Sequence, residues 1–382
     1  MGFRPRAVAA ALALVTLSAL FVGAGSQAAL AGATVSQDGA GWRVVYRSTS
    51  KISNIVTDVA AISPGNAWAV GSTAQAGHGN TQDEPLVLHW NGGHWRRVAV
   101  PGLAGFHLTA VAASSASDVW AFAASANGGN PEAVRWDGNQ WLTIPLPAGV
   151  FPDDAVVLAP ADAWLVGRTQ SCTGSGAAKV CPTTVYHWDG SEWSPYSVPL
   201  VIDPLSTGGI SASGSRNVWV TGSSRDCLSS PCSYTPEAYH WNGSAWSKAP
   251  SMPLKHSFYE PGIAVGSRTD VWVGAWSATR ARHPGRLMHW NGRRWHMVDA
   301  PRLIVTETPL VTDGHHGVWM GPWAHWTGTR WVGNGATSAL ACSLANFTRI
   351  PGQATLWGVG AISKTPTSAT FDSVICALPK AP

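Results

Sequence analysis

The stretch VLHWNGGHW, residues 87–95, decides the fold. It places Trp90 and Trp95 on either side of an Asn-Gly pair, and Asn-Gly between two apolar segments is the strongest short signal for a β-hairpin. The turn favoured by that pair wants both central residues at positive φ. The reading is therefore two strands joined by a tight turn, with an indole near the inner end of each. The unit returns as RWDGNQW (135–141), HWDGSEW (187–193), HWNGSAW (240–246), HWNGRRW (289–295) and HWTGTRW (325–331).

A second unit precedes each copy: NAWAVG (66–71), DVWAFA (118–123), DAWLVG (162–167), NVWVTG (217–222), DVWVGA (270–275) and GVWMGP (317–322). A seventh, TLWGVG (355–360), has no Trp pair after it. Its β-branched and aromatic content with period-2 alternation predicts a strand. About ten residues earlier comes a further apolar strand, such as 108–114, 154–159, 209–213 and 261–266. Each repeat thus supplies four strands, a to d in chain order. The tryptophans Trp68, Trp120, Trp164, Trp219, Trp272, Trp319 and Trp357 are spaced by 38 to 55 residues. Four-stranded repeats of that length are the signature of a β-propeller.

Seven b strands imply seven blades. The seventh lacks a d strand at the C-terminus, and the segment 38–45 (DGAGWRVV) aligns with 91–98 (NGGHWRRV). The expectation is an all-β, seven-bladed propeller of four-stranded antiparallel blades, its ring closed by an N-terminal strand in which Trp42 takes the missing d-strand place. A propeller buries aromatics between adjacent sheets, on the order of 150–250 Å² per large ring. The recurring tryptophans, and the recurring His89, His187, His240, His289 and His325, are read as blade structure. A catalytic group is needed once.

The N-terminus carries Arg4 and Arg6, an uncharged apolar run at 8–24, and the small-x-small site Ala29-Leu30-Ala31. This reads as a secretory signal peptide over 1–31, followed by one propeller domain over 32–382 and a secreted, extracellular location. A retained anchor is the alternative; the run is short for a span of about 20 residues, and no other apolar run is long enough. Only 12% of residues are charged, which excludes a coiled coil. Basic block there is none, so nucleic acid is not an expected partner. The chain reads as a monomer. Exported thiols meet oxidising conditions. Proximity pairs Cys172 with Cys181, Cys227 with Cys232, and Cys342 with Cys376, the last stapling the closing blade; a metal site at Cys227 and Cys232 is the weaker reading.

The pattern S-x-x-D-V-W-A-V-G followed by H-W-D-G-x-x-W, matched well by 115–121 and 187–193, resembles the propeller repeats of many exported actinobacterial proteins. More distantly it is similar to kelch and galactose-oxidase-like propellers, although the kelch Gly-Gly doublet is missing. The resemblance implies the fold and brings no activity with it.

Function is expected on the face where the b–c and d–a connections emerge, because these vary while the a–b and c–d turns repeat. Non-recurring polar and aromatic residues collect there: Asp58, Asp153, Asp154, Glu260 and Glu307 near the starts of inner strands, with His107, Tyr259, Trp276, His283, Asp83 and Glu84 on or near the same loops. Such a mouth suits an extracellular glycan or a protein ligand. No cofactor is expected, with Ca²⁺ as the one cation the acids could take. The alternative is a polysaccharide hydrolase or lyase using two carboxylates across the mouth. Asp153 and Asp154 cannot form that pair, since strand neighbours point to opposite faces. No catalytic motif for acyl, metal-assisted or phosphoryl chemistry is present.

Overall fold

A computed structural model describes residues 41–50, 52–74, 84–125, 130–169, 181–198, 201–202, 209–226, 233–254, 259–276, 285–298, 309–333, 342–364 and 370–379. These residues build seven four-stranded antiparallel blades of a β-propeller. In blade 1, strands a to d are Ser53–Ser63, Asn66–Ala74, Glu84–Trp90 and Trp95–Val98. Blade 2 is Phe106–Ser115, Asp118–Ser125, Glu132–Trp136 and Trp141–Pro145; blade 3 is Val150–Ala159, Asp162–Thr169, Cys181–Trp188 and Trp193–Tyr196. Blade 4 is Ile210–Gly214, Asn217–Asp226, Ser233–Trp241 and Trp246–Lys248; blade 5 is Tyr259–Ser267, Asp270–Trp276, Gly285–Trp290 and Trp295–Val298. Blade 6 is Leu310–Thr312, Val318–Met320, Ala324–Trp326 and Trp331–Gly333. Blade 7 takes Leu344–Arg349, Leu356–Ser363 and Phe371–Leu378 from the C-terminal end and Arg43–Arg47 from the N-terminal end.

The closure is the expected one. Arg43 lies opposite Ala377 and Val44 opposite Cys376. Cys376 is disulfide-bonded to Cys342, which precedes the a strand of the same blade. Cys172, Cys227 and Cys232 lie outside the described residues, as does the side chain of Cys181. Replacing Cys342 and Cys376 by serine is expected to lower the unfolding free energy by about 3–4 kcal/mol, the entropy of closing so long a loop. The urea midpoint of the double variant against the oxidised parent measures it.

The hairpin turn differs from the sequence expectation. Trp90 pairs with Trp95, so four residues, not two, make the loop. Only the glycine takes positive φ: Gly92 at 92° and its equivalent Gly138 at 98°. The preceding residue bonds to the turn instead. The Asn91 side-chain oxygen accepts from the backbone N–H of Gly93 and His94, both at 3.1 Å. Asp137, Asp189, Asn242 and Asn291 do the same in their blades. Asn-Gly and Asp-Gly are selected here as an Asx turn followed by a left-handed glycine, which explains why Asp serves as well as Asn.

All but Trp276 and Trp323 of the 22 tryptophans belong to one repeated arrangement. The b-strand indole of a blade meets the d-strand indole of the next and, where there is one, its c-strand indole. Trp68 lies 5.8 Å from Trp136 and 5.4 Å from Trp141. Trp120 meets Trp188 and Trp193, and Trp219 meets Trp290 and Trp295. Across the closing seam Trp357 meets Trp90 and Trp95. The d-strand ring stands nearly perpendicular to the b-strand ring, at 87° for Trp68 and Trp141 and 83° for Trp164 and Trp246. The indole N–H groups of Trp95, Trp141, Trp193, Trp246 and Trp295 are buried without a conventional acceptor. Edge-to-face packing lets the neighbouring π face take that hydrogen.

The recurring histidines stack on their own blade's b-strand tryptophan, at ring distances of 4.1 Å for His89 on Trp68 and 4.2 Å for His187 on Trp164. One acid or amide at the start of strand b joins both partners. Asp162 Oδ1 lies 2.9 Å from His187 Nε2 and accepts the Trp164 indole N–H at 2.9 Å; Asn217 and Asp270 repeat this with His240 and His289. Blade 2 substitutes Arg135, which pairs with the buried Asp118 at 2.7 Å and lies over Trp120. In blade 6 Gly317 holds the acid's place, and Asp313 reaches His325 from the other side of the turn at 2.9 Å. This unit links strands b and c in one blade after another, so it is structural.

Candidate functional site

Antiparallel order sends the b–c and d–a connections to one face and the a–b and c–d turns to the other. Around the channel, the inner strands carry irregularities at one recurring position, where the register shifts at Asp58, Ala110, Asp154, Gly262 and Asn346. The bulge is accommodated by the glycine that ends the b-strand motif. A Cβ at Gly71 or Gly360 would run into the carbonyl of Ile55 or Ser343.

Bulged positions re-aim side chains, and here polar ones reach the neighbouring blade. Asp58 accepts from Val59 N–H at 2.8 Å and from Val111 N–H of blade 2 at 2.7 Å. Asn346 of blade 7 donates to Asp58 at 2.7 Å. Asp154 accepts from Ala155 N–H at 2.8 Å and from Ile210 N–H of blade 4 at 3.0 Å. Both acids lie midway along their strands and are spent on joining blades 7, 1 and 2, and blades 3 and 4. Burial among the inner strands pushes each carboxyl up to about 7, and the charge of Asp58 adds to the rise at Asp154.

Asp153 has different partners from Asp154. Its buried carboxylate pairs with Arg168 of strand b, at 2.7 Å from Nη2 and 2.9 Å from Nε. Burial pushes Asp153 up to about 6 against the pull of that guanidinium. Arg168 also lies over the Phe151 ring, 4.9 Å from its centroid, and His107 of blade 2 sits 6.4 Å from the same ring. Phe151 and His107 are each the second residue of an inner strand. His107, Phe151 and Arg168 therefore form a half-buried cluster on the loop face between blades 2 and 3. It offers a guanidinium whose charge is balanced from beneath, backed by an aromatic plane and flanked by an imidazole. Such a surface suits carbonyl, carboxylate or hydroxyl groups presented with an apolar face.

Of the remaining sequence candidates, Tyr259 and Trp276 are paired by backbone at the loop end of blade 5, and Glu260 follows Tyr259. The side chains of these three, and the whole of Asp83, His283 and Glu307, lie outside the described residues. Glu84 begins the exposed end of a c strand. Among the described residues no three His, Cys, Asp or Glu side chains group as metal ligands. Phe151, Arg168 and Asn346 escape the sequence reading. Arg168 had a signal: four residues past the b-strand tryptophan, the other blades carry Ser72, Ala124, Ser223, Trp276, Trp323 and Ala361.

No protein-family model matches the chain, and no curated protein matches it in sequence. Among solved structures it is similar to YCF48 bound to D1 peptide, at 13% identity and a TM-score of 0.55 over 90% of this chain and 99% of that one. It is similar to YCF48 from Cyanidioschyzon merolae at 16% identity and a TM-score of 0.55, over 89% of this chain and 99% of that one. Pyrococcus horikoshii acylaminoacyl peptidase matches at 10% identity and a TM-score of 0.53, over 83% of this chain but 50% of its own. The likeness is one of fold.

Proposed function

We propose that the protein is a secreted binding module that takes an extracellular protein or glycan ligand on its loop face, at the mouth between blades 2 and 3. The observation that carries this reading is the His107, Phe151 and Arg168 cluster. It breaks the repeat, whereas the Asp–Trp–His units obey it, and a side chain that one blade alone carries is not required by blade packing. The propeller likeness to YCF48, described in complex with a peptide, supports testing polypeptide ligands first. Asp153 would keep Arg168 fixed, which lowers the ordering cost of binding. Export supplies the compartment, on the strength of the leader at 1–31.

A displayed peptide library and a glycan array are the probes. The variants His107→Ala and Arg168→Lys are expected to weaken any selected ligand roughly ten-fold each, the loss of about 1.4 kcal/mol. Ser191→Ala, in a c–d turn on the opposite face, should leave it unchanged. Ligands that ignore both mouth variants, or that respond to Ser191→Ala, would move the site elsewhere.

A further inference from the structure

Ring closure assembles a surface that neither end of the chain holds alone. Strand Arg43–Arg47 becomes the outer edge of blade 7, and its Tyr46 reaches toward the outer strand of blade 1, Trp95–Val98. Tyr46 packs against the interblade cluster that holds Trp95 and Trp357, and the charge of Arg97 acts on its hydroxyl. Arg43, Arg47, Arg96 and Arg97 are all exposed. Across the seven outer strands no acidic residue occurs, and the only other Lys or Arg is Lys248, which is tied to Glu237 at 2.6 Å. The cationic residues within the outer strands are thus concentrated in blades 7 and 1. Arg47 is balanced by Asp372 at 2.9 Å.

Two apolar side chains stand among these cations. Val44 is 50% exposed and Val45 48%, and the other exposed large apolar residues among those described are Leu142 and Met297. The cause is a register shift between Val44 and Tyr46. A regular strand would turn one of two neighbouring valines inward; the bulge leaves both facing out.

We infer that this seam is a docking surface for an anionic lipid bilayer, with Arg43, Arg96 and Arg97 at the headgroups and Val44 and Val45 at the boundary with the acyl chains. Exposed guanidinium groups complement an anionic membrane surface. The valines select a bilayer over a soluble polyanion, because a dissolved chain of charges gives apolar side chains nothing to enter, whereas an interface does. Tyrosine at the edge of such a surface suits the headgroup level. The surface is separate from the mouth between blades 2 and 3, and stands or falls independently of the ligand proposed there.

The test is cosedimentation of the full exported chain with vesicles of phosphatidylcholine containing phosphatidylglycerol, against phosphatidylcholine alone. Binding is expected to the anionic vesicles only and to weaken with salt. The double variant Arg43→Ala/Arg97→Ala should reduce partitioning roughly 25-fold, about five-fold per arginine, and Val44→Ser/Val45→Ser several-fold. All four positions are exposed, so the variants should melt with the parent. Three outcomes overturn the inference: no binding to anionic vesicles, equal binding to neutral ones, or an unchanged valine variant together with equal capture on soluble heparin, which would identify a polyanion as the partner.

Discussion

Trp42→Ala is expected to cost about 3–5 kcal/mol of unfolding free energy, the range for deleting a large buried aromatic. Trp42 is 5% exposed and packs with Trp319, Phe347 and Leu356 across the seam of blades 6 and 7. Its indole N–H donates to the Pro322 carbonyl at 2.9 Å, and this bond crosses the closure. The substitution opens a cavity and removes that donor together. Trp42→Phe fills most of the space and loses the donor, so a smaller loss of about 1–2 kcal/mol is expected. Chemical denaturation of the two variants and the parent separates packing from hydrogen bonding. A loss for Trp42→Ala no larger than that for the exposed Leu142→Ala would mean that the ring does not depend on its first strand.

A second large effect is expected with pH. Burial holds the folded-state pKa of Asp58 and Asp154 at about 7 and that of Asp153 at about 6, against an ordinary value of 3.8. Between pH 4 and pH 7, about, the folded chain keeps protons that the unfolded chain has released. Stability from these groups is therefore full below the ordinary carboxyl range and is lost as pH rises through 6 to 7. Two sets of groups act in the opposite sense. Burial holds His89 and His240 below 6.5, so they remove stability as pH falls through that value. Backbone hydrogen bonds from Glu192 and Ser191 hold Asp189 at about 2, so it removes stability only in stronger acid. The expected result is a urea midpoint higher at pH 5 than at pH 8, with Asp154→Asn flattening the difference. A midpoint that rises steadily from pH 5 to pH 8 would show that these inner carboxyls ionise as freely as exposed ones.

The consequence reaches function through position. Asp58 and Asp154 tie inner strands of neighbouring blades, and the mouth cluster is built on those same strands: Phe151 and Asp153 precede Asp154, and His107 precedes Val111, whose N–H Asp58 holds. Loosening an inner bond shifts the strand that carries the candidate ligand contacts. The proposed recognition cluster and the inner-ring carboxyls therefore share a scaffold.

The sequence by itself determined the number of blades, the order of strands, the closing segment and the place of the tryptophans. Each of those rests on a pattern that recurs along the chain, and repetition lets a weak local signal be read seven times. It also separated Asp153 from Asp154, because side chains alternate along a regular strand. The tertiary structure decided the register of the turns and the contacts that occur once. That Asn-Gly makes a four-residue Asx turn follows from the pairing of Trp90 with Trp95, which is a matter of register and not of composition. That Asp58 holds blade 2 and takes a bond from Asn346, that Arg168 lies over Phe151, and that Tyr46 comes within the field of Arg97 are meetings of residues distant in the chain or displaced by a bulge. No period announces them, since a contact made by closing a ring exists only when the ring has closed.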